Sequence, residues 1–221
     1  MFESSAMNRT STKNKKLFSV FDEDGEIQPV PASVDHFAFL ELPKKMNINE
    51  AVLESTFFEY SRKLHPDFFM NAPASKRILS LDASARLNAA YKTLKDPIQR
   101  AVYLVELESG KLEENDSSPP VELLEDIFMA QEAAADYKCC ENGGEEAEGL
   151  RANLMAAKEC FEAQRSGQRA ALDKLGGRWD EAVDAGEEPP SEVIDKLRSV
   201  LGLRNYIENI LRNVDRALEE A

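Results

Sequence analysis

One short stretch of the chain could do chemistry. His65, Pro66 and Asp67 stand together, and the only other histidine is His36. A histidine beside an aspartate suggests proton transfer, as where an imidazole activates a serine or cysteine. Three features argue against that here. Pro66 splays the two side chains apart, no Ser or Cys nucleophile motif adjoins them, and no glycine-rich phosphate loop occurs elsewhere. Metal chemistry has no better footing. The cysteines are Cys139, Cys140 and Cys160, two of them adjacent, and none is spaced with a histidine as a zinc site requires. The expectation is a protein that is not an enzyme and holds no cofactor or metal of its own. What remains for the tripeptide is presentation. A proline-stiffened turn can hold an imidazole and a carboxylate out towards another protein. Basic neighbours, Arg62 and Lys63 with Lys44 and Lys45 further back, can steer it onto an acidic surface. The bland alternative is that Asp67 only caps the element that follows.

The tripeptide needs elements to position it, and those are helices. Phe37 to Leu42 is a short apolar run ended by Pro43. Asn49 is a candidate N-cap, with Glu50 in the first turn where a carboxylate suits the helix dipole. Leu53, Phe57, Tyr60 and Leu64 then recur at helical spacing, and Pro66 stops the helix. Asn71, Ala72 and Pro73 continue the loop. A second helix is expected over 75–95, with Ile78, Leu81, Ala85, Asn88/Ala89 and Tyr91/Leu94 inward. Asp96-Pro97 breaks it, and a third helix follows through Arg100, Ala101, Tyr103, Leu104 and Leu107. Two helices joined by a loop of about ten residues pack as an antiparallel hairpin.

At this point the residues resemble a known family. A His65-Pro66-Asp67 turn after Arg62-Lys63-Leu64, between two such helices, looks like the signature of J-domain co-chaperones. Downstream, Leu87-Asn88-Ala89-Ala90-Tyr91-Lys92-Thr93-Leu94-Lys95-Asp96-Pro97-Ile98-Gln99-Arg100-Ala101-Val102-Tyr103-Leu104 is similar to a stretch of the HscB-type iron–sulfur co-chaperones. Ordinary J-domains lack its Pro-xx-Arg-Ala-x-Tyr-Leu continuation. The resemblance covers residues 35–132 well. It implies that His65, Pro66, Asp67, Arg62 and Lys63 bind a DnaK-type (HscA-like) chaperone and stimulate its ATPase, with Asp67 pairing with a chaperone arginine.

The C-terminal third extends the likeness. Pro119-Pro120 opens a helix in which Leu123, Leu124 and Ile127 fall on the family's scaffold-contact positions, beside Phe128. An apolar arc of that width also suits a helix packed between two neighbours. Phe128 stands where the family commonly has Glu, Ala130 where it has Arg, and Gln131 where it has Glu. Residues 139–144 read as a turn. A long helix follows over 145–185, with a kink or break near Gly176-Gly177. Ser191 is the expected N-cap of the last helix, whose Val193, Leu197, Val200, Arg204, Ile207, Leu211, Val214 and Leu218 make a 4-3 seam. Tyr206 matches the family's aromatic contact position, or packs in the core with its hydroxyl at the edge. The implied client is an IscU-type iron–sulfur scaffold protein, on which cluster ligation would stay.

Composition sets the limits. The chain has 221 residues, 43% hydrophobic and 31% charged, and a net charge of −14. Residues 35–110 carry 10 acidic and 10 basic side chains, whereas 111–221 carry 26 and 13. So acidic a chain is repelled by phosphate backbones, which disfavours nucleic acid. No window reads as a membrane span. The expected fold is all-α: a flexible N-terminal arm (1–34), a J-domain helical hairpin (35–110) and an antiparallel three-helix bundle (118–220). The free thiols suit a reducing compartment, the cytoplasm or, in a eukaryote, the mitochondrial matrix. Two other functions compete: a general J-domain protein delivering unfolded chains, and a helical assembly protein with an incidental tripeptide.

Overall fold

A computed structural model describes residues 19–112, 121–139 and 145–220. Residues 1–18 of the expected arm, the Pro119-Pro120 pair and the turn over 140–144 lie outside the described residues. Those described are helical, as expected: α1 (His36–Phe39), α2 (Glu50–Leu64), a 3-10 turn (Pro66–Phe69), α3 (Ala74–Lys95), α4 (Pro97–Ser109), α5 (Val121–Cys139), α6 (Glu145–Ala185) and α7 (Ser191–Glu220). The only extended pairing among them is an isolated antiparallel bridge between Phe21 and Ile27. None of these helices is long and apolar enough to cross a membrane. The chain forms two compact units. Of the described residues, one comprises those up to Pro43 together with Glu50–Lys92, the other Lys44–Asn49 together with those from Thr93 onward.

In the first unit, α2 buries Leu53, Tyr60 and Leu64, as its spacing predicts, and half-buried Phe57 stacks on Tyr91 with centroids 4.0 Å apart. The inward stripe of α3 differs from the expected one. Ser80, Ala83, Leu87 and Ala90 face in, while Ile78 and Leu81 are exposed, as are Ala85, Asn88 and Ala89. Leu94 is buried as expected, but Ser80 and Ala83 make the first half of this seam, so a reading weighted by side-chain bulk picks the wrong face there.

The expected arm also needs correction over 19–34. Val20, Ile27 and Val30 are buried. They are brought together by a turn in which Asp22 Oδ1 accepts the N–H groups of Asp24 and Glu26, and Gly25 takes a left-handed φ of 79°. The apolar island at Val20 and Phe21 is too short to show a period, yet it closes over Tyr60. Phe21 and Phe39 meet the Tyr60 ring edge-on at 5.9 and 6.4 Å. The Tyr60 hydroxyl donates to Glu41, which itself has a positive φ of 56°. Burial, then Glu41's hydrogen bond and charge, push the Tyr60 phenol well above its ordinary range.

The second unit contains the expected antiparallel bundle. Ion pairs Lys158–Asp215, Arg165–Glu208 and Arg178–Glu192 run in opposite directions along α6 and α7, which fixes their antiparallel register. Leu154 and Phe161 of α6 meet Ile207, Ile210, Leu211 and Val214 of α7 in one core. Burying a side chain of this size is worth about 1.5–3 kcal/mol. In the upper half of α7 the seam uses Val193, Leu197 and Leu201, with Leu201 buried where Val200 was expected. Ser191 is the first helical residue, and the opening turn closes on the Pro190 carbonyl.

Two further parts join this unit. α4 was expected with the hairpin, but it packs against α7, where the Arg198 guanidinium donates to the Ser109 hydroxyl (2.9 Å) and the Lys111 carbonyl (2.9 Å). The segment Lys44–Asn49 is gripped by the end of α6. Trp179 Nε1 donates to the Lys44 carbonyl (2.9 Å), and the Asp180 carboxylate accepts from Met46 N (2.7 Å), Asn47 N (3.0 Å) and Asn47 Nδ2 (2.9 Å). Lys45 pairs with Asp184. From the other side Arg100 Nε donates to the Met46 carbonyl at 2.7 Å. No break forms at Gly176-Gly177, and α6 is continuous through them. A Cβ on Gly176 would lie 3.1 Å from Met46 Cβ, so this glycine makes room for the gripped segment.

Candidate functional site

α2 ends at Leu64 because Pro66 cannot continue it. Pro66 instead opens the 3-10 turn, with His65 as its cap at φ −58° and ψ 127°. The turn is stitched by its own backbone: Phe68 N donates to His65 O (3.0 Å), Met70 N to Asp67 O (3.4 Å) and Ala72 N to Phe69 O (2.9 Å). His65 Nδ1 accepts from Asp67 N at 3.3 Å. The Asp67 carboxylate lies 3.5 Å from the same nitrogen, and its side chain is 76% exposed. The His65 ring stands edge-on to Phe68, which is itself 75% exposed. The turn therefore presents an imidazole, a carboxylate and an apolar ring together. A buried Asp67 would have removed the basis for any docking role.

Of the basic residues expected beside the turn, Arg62 and Lys63 are exposed on the last turn of α2. Lys63 pairs with Glu59 at 2.6 Å, and its ammonium lies 5.5 Å from the Phe21 ring centre. The Lys63 hydrogen bond and charge hold the Glu59 carboxyl below its ordinary range. An exposed i,i+4 pair of this kind contributes only about 0.3–0.5 kcal/mol, so a stronger acid on a partner can take over the lysine. Lys44 and Lys45 belong to the second unit, where Asp184 holds the Lys45 ammonium.

Two residues that the sequence reading missed hold the turn from behind. Ser80 Oγ and Ser84 Oγ both donate to the Leu64 carbonyl, at 2.7 and 2.9 Å. Ser80 is fully buried. The available signal was a serine recurring four residues on, inside a seam otherwise made of Ala and Leu.

The second candidate surface divides. Leu123 and Ile127, expected to meet a partner, are buried in the bundle core with Ala130 and Ala134. Leu123 and Ile127 each keep only 8% of their surface exposed, the burial that packing between two neighbouring helices produces. Ala130 is only 1% exposed, so no polar partner contact can be made there. Phe128 is 65% exposed, Leu124 is half-buried on the same side of α5 one turn earlier, and Gln131 and Glu132 are exposed. Tyr206 and Leu203 pack at the edge of the core, half-buried. Of the contact positions expected on α5, Leu124 and Phe128 keep exposed surface, with Met129 exposed beside them.

Comparisons with known proteins agree with this architecture. No protein-family profile matches the chain. A curated relative from Vibrio cholerae, a "Co-chaperone protein HscB homolog", is 26% identical over 179 residues, spanning 80% of this chain and 96% of the relative. An "Iron-sulfur cluster co-chaperone protein HscB homolog" from Arabidopsis thaliana is 33% identical over 122 residues, 55% of this chain and 48% of that protein. The crystal structure of the human co-chaperone protein HscB superposes with a TM-score of 0.64 at 19% identity, covering 97% of this chain and 93% of that one. Chaperone HscB from Vibrio cholerae gives a TM-score of 0.58 at 24% identity, over 84% of this chain and 99% of that one. These two structures speak to the fold.

Proposed function

We propose that the chain, which is similar to the HscB-type co-chaperones, is an adaptor in iron–sulfur cluster assembly with two docking sites and no catalytic step of its own. The His65-Pro66-Asp67 turn engages a DnaK-type, HscA-like chaperone and stimulates its ATPase. The α5–α7 bundle carries an IscU-type scaffold protein, and joining both modules in one chain raises the scaffold's effective concentration at the chaperone.

The observation that carries this reading is the exposed Asp67 carboxylate, displayed on a stitched turn directly after the basic end of α2. Paired with a chaperone arginine, a carboxylate makes a short charge-assisted bond. Stimulation requires that this bond be stronger in the chaperone's hydrolysing state than in its resting state, since equal contacts shift nothing. Couplings of about 1–3 kcal/mol correspond to 5- to 150-fold effects.

The test is single-turnover ATP hydrolysis by an HscA-like chaperone. Asp67→Asn is expected to return the rate to its unstimulated value while the helical circular dichroism stays the same. Equal stimulation by both proteins would remove the role given to the turn. For the second site, Phe128→Ala is expected to weaken scaffold binding by about 2 kcal/mol, near thirtyfold, as for an exposed aromatic anchor. The melting temperature should hold, because the ring lies outside the core. Titration calorimetry against an IscU-type scaffold reads this directly, and unchanged affinity would place the scaffold elsewhere.

A further inference from the structure

The last carbonyls of a helix have no partner within it. For Leu64 the natural donor would be the N–H of residue 68. That N–H is already spent on the His65 carbonyl at 3.0 Å, and Pro66 has none to give. The Leu64 oxygen is satisfied from α3 instead, by Ser80 Oγ at 2.7 Å and Ser84 Oγ at 2.9 Å. A serine inside a helix more often returns its hydroxyl to its own preceding turn or points to water. Here two successive turns of α3 aim hydroxyls at one oxygen on another helix, and one of them is wholly buried. A buried hydroxyl is costly unless bonded, and an alanine would fill the same seam at no such cost.

That oxygen matters because of what it is attached to. The Leu64 carbonyl and the His65 N–H share one planar peptide unit. Fixing the oxygen with two bonds fixes the rotation of that plane. His65 then leaves at φ −58° and ψ 127°, and the proline ring sets the next φ. Few backbone rotations remain between the held plane and Asp67.

We propose that Ser80 and Ser84 are positioning residues for the His65-Pro66-Asp67 turn, aiming Asp67 at the chaperone by clamping the Leu64 carbonyl. This rests on the chaperone-stimulating role proposed above. Without the clamp the turn samples other orientations, and only a fraction of molecules dock at once. Apparent affinity falls by that fraction, while the stimulated rate at saturation is kept.

The experiment titrates an HscA-like chaperone ATPase with the full chain and its variants. Ser80→Ala/Ser84→Ala is expected to raise the half-saturating concentration about tenfold, as for a tenth of the molecules being competent, with the plateau retained. Asp67→Asn instead loses the plateau. Ser84→Thr, which keeps the hydroxyl at a half-buried position, should behave like the parent, and Ser84→Ala alone covers the case in which the double variant does not fold. Ala83→Gly weakens α3 without touching either hydroxyl and should leave half-saturation where it was. Amide exchange at Asp67, Phe68 and Phe69, measured without chaperone, should quicken in the serine variants and not in Ala83→Gly. Half-saturation within twofold of the parent in the double or single serine variant, or an equal rise in Ala83→Gly, overturns the positioning role while the function stands. If the parent chain does not stimulate, or Asp67→Asn stimulates as well as it does, the functional reading falls and the inference with it.

Discussion

Trp179→Ala is expected to cost the second unit about 3–5 kcal/mol, the usual range for deleting a buried aromatic ring. Trp179 is 1% exposed and its indole N–H donates to the Lys44 carbonyl. The substitution therefore opens a cavity and orphans a carbonyl at once. Urea unfolding followed by circular dichroism checks this; fluorescence cannot, because Trp179 is the only tryptophan. Trp179→Phe should recover most of the packing but not the hydrogen bond, leaving a deficit of about 1 kcal/mol. A loss below about 1 kcal/mol for Trp179→Ala would contradict the general cost of emptying such a site, and the ring would then not be what holds Lys44–Asn49.

Arg100→Ala is the second large effect, expected at about 2–6 kcal/mol from two buried carbonyls losing a donor, at about 1–3 kcal/mol each. The guanidinium is 4% exposed and donates to the carbonyls of Met46 and Leu94. Its planar fork reaches both at once, so Arg100→Lys, which offers a single ammonium, should fall between the parent and the alanine variant. Because Trp179 and Arg100 hold the same six residues from opposite sides, the two losses should not add. A double-mutant cycle is expected to show coupling of about 0.5–3 kcal/mol, and strict additivity would mean that the two grips are independent.

Much of this architecture was readable from local signals. Pro66, Asp96-Pro97 and the Pro189-Pro190 pair punctuate the helices where the sequence says they should. Asp96 indeed caps α4 through the N–H groups of Ile98 and Gln99. The turn at His65 was readable for the same reason: a proline between two amphipathic stripes leaves few conformations. The face of α3 was not, since Ile78 and Leu81 outweigh Ser80 and Ala83 on any hydrophobic scale while the seam selects for small size. Leu123 and Ile127 carried both a partner reading and a core reading, and only the neighbouring helices decide between them. The grip on Lys44–Asn49 left almost no trace. The groups held on that segment include the Lys44 and Met46 carbonyls and the Met46 and Asn47 amides, backbone atoms common to every sequence, and the acceptor Asp180 lies 134 residues away from Met46.

That separation has a consequence for biogenesis. Ribosomes add about 5–20 residues per second, so Met46 is added about 7–27 seconds before Asp180. During that interval the stretch between α1 and α2 has none of its α6 partners, and the carbonyl and amides they later occupy are hydrated. Closure of the second unit is thereby deferred until Trp179 and Asp180 have been made, and a nascent chain stalled before Trp179 would leave the site that receives this stretch unbuilt.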